Sequence, residues 1–353
     1  MATSLVPRPG PAAREAPVRD RRSRLRRAVS VTGALGALVF ALFVATLMVG
    51  PFPVMPWEVV ASVFHLRDEP SIDFVVRDLR LPTASTALGV GMAFGLSGAL
   101  FQRLLGNPLA SPDLVGVSSG ASLFAVSSIV LLNLGGLWIP LAALLGALTA
   151  ALLVYALSWR GGVAGYRFIL IGIGVSQFCL AIIGYVISRA DITDARVAMT
   201  WLTGSVGQAG VVELRVVLVA LAVVLPLTVL LARQLGVLEL GDDAAQALGV
   251  RVEAGRLLLL LLAVVLVALA TAAAGPLAFV ALVSGPIAAR LVGGGAAGLI
   301  AASFVGAIVV LVADAVAQWV LPGSLPTGVV TGAIGGPYLI WLLATVNAEG
   351  RGG

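Results

Sequence analysis

Apolar residues along this chain come in long, nearly unbroken runs separated by short polar reversals, with no alternation of period two. Runs of about 20 apolar residues match the hydrocarbon thickness that a helix crosses, whereas a membrane barrel would alternate. The pattern predicts ten spanning helices, over residues 31–50, 83–102, 114–133, 138–158, 166–187, 212–233, 256–274, 276–292, 296–317 and 328–346. Only Gly275-Pro276 divides the seventh from the eighth. A break at membrane depth is tolerated where protein or a cavity covers the freed backbone groups. The expected fold class is therefore an all-α integral membrane protein, with its membrane domain over residues 31–346 and tails at 1–30 and 347–353.

Residues 80–122 organise the rest. Gly89, Gly91, Gly95 and Gly98 fall close together, and Gly91 and Gly95 form a small-xxx-small pair. In lipid, helices associate through close backbone approach, because the tails are as apolar as leucine. A helix with this face is built to pack against other helices. The apolar run stops at Gln102-Arg103, and Asn107-Pro108 followed by Ser111-Pro112-Asp113 forces a turn before the chain re-enters. Each proline lacks a donor and biases its predecessor away from helix.

Three polar connections are long. Residues 51–82 carry Trp57, Glu58, Asp68, Glu69, Asp73, Arg77, Asp78 and Arg80, and have room for an interfacial helix. Residues 188–211 carry Arg189, Asp191, Asp194, Arg196 and Trp201. Residues 234–255 place Glu239 and Asp242-Asp243 ahead of an Ala-rich turn and Arg251, as a short helix with an acidic start would. A polar connection of this length serves a purpose or is a plain surface loop. The residues by themselves leave a docking surface and a loop both open.

Composition agrees with the pattern. Hydrophobic residues make up 59% and charged residues 11%, against about 25% charged in soluble domains. All 22 basic side chains are arginine. Without lysine there is neither a phosphate-binding loop that reaches phosphates through Lys nor a Schiff base. One cysteine, Cys179, and one histidine, His65, leave no disulfide framework and no metal cluster.

Eight arginines lie within the first 27 residues: Arg8, Arg14, Arg19, Arg21, Arg22, Arg24, Arg26 and Arg27. Such a tail has too little apolar surface to fold alone. It reads as a cytoplasmic anchor, a nucleic-acid arm or the n-region of a signal peptide. The run at 31–49 is long for a cleaved segment and many further spans follow, which favours a retained first helix. With the tail inside, both termini are cytoplasmic. Sixteen arginines then lie inside and six outside (Arg67, Arg77, Arg80, Arg189, Arg196 and Arg215), as the positive-inside rule requires.

Candidate chemistry is sparse. Asp314, in Leu311-Val312-Ala313-Asp314, is the clearest intramembrane charge. A proton relay needs a chain of such groups, and no other acidic residue falls mid-span, so a carboxylate bonded to backbone or to Gln318 is the simpler reading. Gln102 and Gln177 read as interhelical glue. His65 has no nucleophile or acid partner beside it, and Gly293-Gly294-Gly295 follows a span instead of a strand. No catalytic residue, no resident cofactor and no metal site is expected.

Several motifs, taken together and in order, resemble the FecCD family of permease subunits of ABC importers for iron–siderophore, haem and cobalamin. They are Arg80-Leu81-Pro82, Ser97-Gly98-Ala99 with Gln102, Asn107-Pro108-Leu109-Ala110, Leu114-Val115-Gly116-Val117 with Ser119-Gly120-Ala121, and Trp201-Leu202-Thr203-Gly204-Ser205. Leu240-Gly241 through Ala244-Ala245 to Leu248-Gly249-Val250, Gly275-Pro276-Leu277-Ala278-Phe279-Val280, Ala313-Asp314 and Pro326-Thr327-Gly328-Val329-Val330-Thr331 with Gly335 and Pro337 complete the resemblance.

The resemblance implies a type II importer permease in the bacterial inner membrane. It would pair with a second permease around a translocation path, with two cytoplasmic ATPases below and a substrate-binding protein above. ATP and Mg would belong to the ATPases, and nucleic acid would play no part. The cargo would be a ferric siderophore, with cobalamin or haem as the alternative. By the same resemblance, Leu240, Gly241, Asp242, Asp243, Ala244, Ala245, Leu248, Gly249 and Val250 would couple to the ATPase, and Arg77 and Arg80 would face the binding protein. Gly91, Gly95, Ser97, Gly98, Gln102, Asn107 and Pro108 would line or pack the path.

Three positions depart from the family pattern. Thr83 stands where a second arginine usually follows Arg-Leu-Pro, and Gln318 stands where an arginine often follows the aspartate. Gly285-Pro286-Ile287-Ala288-Ala289-Arg290 lacks the usual histidine. A homodimer and a heterodimer are both open, and the missing side chains favour a heterodimer whose other half keeps those contacts.

Overall fold

The computed structural model describes residues 11–159, 165–320, 323 and 325–349. Arg8, Arg160 and Arg351, counted above as inner arginines, lie outside the described residues. Helix α1 (Pro11–Met48) leads to α2 (Pro56–Val63) and α3 (Pro70–Asp73). A π-helical turn at Phe74–Arg80 joins α3 to α4 (Leu81–Leu105) without a break. There follow α5 (Val117–Val130), α6 (Trp138–Ser158), α7 (Gly165–Ser188), α8 (Ile192–Thr203), α9 (Val211–Leu238) and α10 (Asp242–Ala247). Then come α11 (Val252–Ala274), α12 (Val280–Val292), α13 (Gly295–Ala315) and α14 (Thr327–Glu349).

Each expected span falls on a helix, with two kinds of correction. By length and composition, seven helices can cross a membrane, while α5, α12 and the apolar part of α14 (Thr327–Leu342) are shorter. The apolar pattern starts the eighth span at residue 276, but α12 begins only at Val280. Gly275 and Phe279 both take positive φ, 72° and 67°, so the chain reverses between them. The Ser205 amide donates to the Ala274 carbonyl at 2.7 Å, so the interrupted backbone is satisfied by protein. At the other end of the chain, α1 begins at Pro11, ahead of the first expected span at residue 31. Ala, Arg and Leu are strong helix formers and extend the first span backwards.

Helix α4 is the axis of the molecule. It is buried on nearly every side from Ala84 to Gln102, the mark of a helix surrounded by others rather than by lipid. It packs most extensively against α13, then against α11, α12 and α9. The glycines explain the first contact. A Cβ on Gly91 would stand 2.6 Å from the Gly306 carbonyl oxygen, and one on Gly95 would overlap the Ala302 carbonyl oxygen. Backbone therefore meets backbone across α4 and α13, as the small-xxx-small face predicts. Gly98 does the same against Ala281 of α12.

Polar side chains add directional bonds. Ser97 donates to the Ala263 carbonyl of α11 at 2.7 Å, Gln102 to the Leu282 carbonyl of α12 at 2.9 Å, and Ser303 of α13 to the Met92 carbonyl at 3.2 Å. The helix ends at Gly106, whose φ of 61° lets the Asn107 amide return to the Gln102 carbonyl at 3.0 Å. Asn107 then accepts from the Leu109 amide at 2.9 Å, which sets the predicted turn.

Candidate functional site

Two regions at opposite ends of α4 bring chemistry-bearing residues together. At the C-terminal end of α4 lies the connection between α9 and α11. It is shorter than the expected 234–255, because α9 runs on to Leu238 and α11 begins at Val252. Between them α10 forms with Asp242 and Asp243 in its first turn, where carboxylates favour the helix dipole. Gly249 ends it at φ 80°, with its own amide donating to Gln246 at 2.9 Å and the Val250 amide to Ala245 at 3.0 Å. This is the paired cap that only a residue comfortable in the left-handed region closes without strain.

One face of α10 is fixed and the other is free. Ala245 is fully buried against the bundle, and Val250 is half-buried. Asp242 forms a two-point ion pair with Arg256 of α11, at 2.7 and 3.4 Å. Leu240 and Leu248 are 66% and 63% exposed, and Asp243, Gln246 and Ala247 are exposed with them. None of the described residues covers these leucines. The residues foreseen from sequence are thus gathered into one rigid protrusion with an apolar tip.

Beside it, the last turn of α4 presents Arg103. Its Nε donates to the Glu239 carboxylate, and its Nη1 to the Gly295 carbonyl at 3.0 Å. This guanidinium joins α4, α13 and the α10 connection. Sequence reading missed it, because Arg103 and Glu239 lie 136 positions apart and neither belongs to a motif.

At the N-terminal end of α4 is a cavity of about 730 Å³. Arg80 lines it from the π-helical turn before α4, Thr83 and Ala84 from the start of α4, Asp314 from the end of α13, Gln318 and Trp319 from a second π-helical turn (Val316–Val320), and Phe52 from the segment after α1. Arg80 does not stand free. It donates to the carbonyls of Leu47 and Met48 at 2.9 and 3.2 Å and to that of Phe52, closing the C-terminus of α1. Arg77 likewise donates to the Ser62 carbonyl and lies 3.5 Å from Asp73, pinning α2 to the helix that follows. Both arginines expected to meet a binding protein also bond their own chain.

Asp314 accepts from Gln318 Nε2 at 2.8 Å and from the Thr327 hydroxyl at 2.9 Å. The Gln318 bond is the simpler of the two readings made from sequence; Thr327 came from the next helix and was not foreseen. Both carboxylate oxygens have neutral donors, and among the described residues no group of acids and histidines able to hold a metal is present. Gly328 of the same α14 turn bonds Gly204 at 3.0 Å, so α14 is tied to the segment after α8.

The turn after Asn107-Pro108 holds one further acid. Asp113 accepts from Ser118 through one oxygen, while the other is buried without a partner. Burial pushes its carboxyl up to about 6, against the opposing effect of the Ser118 bond. A carboxyl raised in the folded state binds protons more tightly than in the unfolded chain. It therefore contributes stability at low pH that is lost as pH rises from about 4 through 6. Asp113→Asn should raise the midpoint of thermal unfolding in detergent at pH 7.5, by the equivalent of about 1–3 kcal/mol. The gain should shrink to about a third at pH 4.5 and towards zero below about pH 4. Equal gains at both pH values would show that the effect is not the carboxylate's charge.

Comparison with known proteins matches the FecCD transport family model over residues 38–345. The achromobactin transport system permease protein CbrC of Dickeya dadantii is 43% identical over 87% of this chain and 88% of its own length. The ferric enterobactin transport system permease protein FepG of Escherichia coli is 42% identical over 77% of this chain and 83% of its own. The hemin transport system permease protein HmuU of Yersinia pestis is 36% identical over 78% and 84%. A solved metal-chelate type ABC transporter in an inward-facing conformation superposes with a TM-score of 0.80 at 25% identity, covering 90% of this chain and 99% of that one.

Proposed function

The chain belongs to the FecCD transport family, whose members are permease subunits of ABC transporters and not themselves enzymes, and from that premise we propose that it carries a ferric siderophore inward across the bacterial cytoplasmic membrane. The observation that carries the reading is the α10 protrusion. A short helix capped at its far end, pinned to α11 by Asp242–Arg256 and tipped with bare Leu240 and Leu248, is a shape made to be gripped. The occupant of that grip is a cytoplasmic ATPase, one for each permease of a dimer, which binds ATP and Mg and supplies the driving force. Leu240, Gly241, Asp242, Asp243, Ala244, Ala245, Leu248, Gly249 and Val250 form the coupling element. Both termini lie on the same cytoplasmic side.

On the opposite face a substrate-binding protein delivers cargo. Arg77 and Arg80 serve there by bracing α1 and α2, which shape the landing surface. Thr83 and Gln318 in place of arginines support a heterodimer in which the second permease carries the charged contacts. Packing of Gly91, Gly95 and Gly98 and the bonds of Ser97 and Gln102 keep α4 rigid beside the path, and Asn107-Pro108 turns the chain at its inner end. Asp314 is a structural carboxylate held by Thr327 and Gln318, which leaves an ion-coupled carrier without a relay.

The test is uptake in a strain lacking this chain, with radiolabelled ferric enterobactin, a ferric hydroxamate, ferric citrate, haemin and cobalamin offered separately. Uptake of at least one ferric siderophore should fall by about tenfold or more and return with a plasmid copy, including a copy carrying Asp314→Asn. Loss confined to haemin or cobalamin would overturn the cargo. Transport by the chain alone in vesicles, or loss with Asp314→Asn, would overturn the mechanism.

A further inference from the structure

The docked protrusion and the distant cavity are joined by a continuous mechanical element. Helices α4 and α13 interlock backbone to backbone at Gly91, Gly95, Ala302 and Gly306, with Ser303 bonded to the Met92 carbonyl. Interfaces packed this closely are bistable and do not slide by small amounts. The pair therefore moves as one body. At one end, Thr83 and Asp314 of these helices, with Arg80 and Gln318 of the π-helical turns continuous with them, form part of the wall of the cavity. At the other, the Arg103 guanidinium grips both α13, at the Gly295 carbonyl, and Glu239, the residue next to exposed Leu240. Besides the buried Ala245, the α10 protrusion thus has two ion-pair attachments. Asp242–Arg256 fastens it to α11, and Glu239–Arg103 fastens it to the α4–α13 pair.

We propose that Arg103 is the positioning residue that converts movement of the α10 protrusion into movement of the α4–α13 pair, and through it reshapes the cavity at the far face. The inference rests on the permease reading above and adds to it the strut by which the two faces communicate. The pair is suited to transmission more than to stability. The Arg103 side chain is 17% exposed and Glu239 37%, and ion pairs this close to solvent add little to folding. A charge-assisted bond nonetheless fixes distance and direction when one partner is pushed. Arg103 also holds α13 directly, so the push reaches both members of the interlocked pair.

The experiment uses the affinity-tagged full chain in its own host, with Arg103→Glu, Glu239→Arg and the double variant Arg103→Glu/Glu239→Arg. Three quantities are read: the ATPase that copurifies, ATP hydrolysis by the purified complex, and radioiron uptake by cells given iron in spent medium of the parent strain. Each single variant should retain the ATPase and hydrolyse ATP normally, yet take up about tenfold less iron, about 1.4 kcal/mol of lost coupling. The double variant restores the pair but not the Gly295 contact, and should recover most of the uptake. Normal uptake by either single variant would overturn the proposal. So would loss of the ATPase from the single variants, which would make the pair part of the docking surface, or a double variant no better than the singles. A parent chain that purifies with no ATPase would instead sink the permease reading itself.

Discussion

Gly95→Leu should leave almost no folded permease in the membrane. A side chain at this position has nowhere to go. Its Cβ would overlap the Ala302 carbonyl oxygen and lie 3.1 Å from the Gly306 Cα, and both obstacles are backbone. Ordinary overpacking costs about 1–3 kcal/mol because side chains rotate out of the way. Backbone offers no such relief, so α13 must be driven off α4 along most of their shared length. The contacts of α4 with α11 and α12 should suffer as well, since Ser97 and Gly98, which make them, lie within one turn of Gly95. The expected result is at least about a tenfold drop in monodisperse protein extracted from membranes, with uptake lost in proportion. Gly174→Leu is the control: no atom lies within 4 Å of a Cβ added there, on the exposed side of α7. Equal yields from the two variants would show that the α4–α13 crossing does not organise the fold.

That crossing was readable in advance, and the reason is physical. Small residues four apart on an apolar run have no use in a lipid-facing helix, so Gly91 and Gly95 announce a partner even though they do not name it. Helix α6 is legible for a similar reason, since a uniform apolar run between Gly135-Gly136 and Trp159 has one way to be helical. Hydropathy does not register backbone torsion, and there the reading was coarser. Gly116 at φ 89° delays α5 until Val117, and Phe279 at φ 67° delays α12 until Val280, although the residues before both are apolar enough for a span. Phe279 takes a conformation that a large side chain rarely adopts, and composition alone gives no warning of it.

The functional regions divide along the same line. Local geometry, such as the acidic first turn of α10 and the bond from Gln318 to Asp314 one turn away, follows from spacing. Partners brought together by the fold do not. Thr327 reaches Asp314 from α14, Arg256 reaches Asp242 across the α10 connection, and Arg103 reaches Glu239 from a different helix. At Arg80 the fold adds a contact that the motif does not name, since the guanidinium closes α1.

Leu240→Asp combined with Leu248→Asp should abolish transport while leaving the membrane domain intact. Both side chains are mostly exposed, so the folded chain loses almost nothing when they change. The shape of α10 does not depend on them: Gly249, the Ala245 and Gln246 carbonyls and the Asp242–Arg256 pair fix it. Docking depends on them strongly. Burying a leucine in a partner's groove contributes about 1.5–3 kcal/mol, so two of them carry roughly 10²- to 10⁴-fold in affinity before the cost of desolvating two new carboxylates. The ATPase should therefore vanish from the purified complex, and uptake should fall by about a hundredfold or more. Thermal unfolding of the permease should be unchanged. The double variant is also distinct from Arg103→Glu, which keeps the ATPase and loses only the transmission of its movement. Orientation is checked in the same strain background: a cysteine placed at exposed Asp243 should react with a membrane-impermeant maleimide only after the membrane is opened, since native Cys179 is buried. Retention of the ATPase by the double aspartate variant, or labelling of intact cells at position 243, would place the driving force somewhere other than this protrusion.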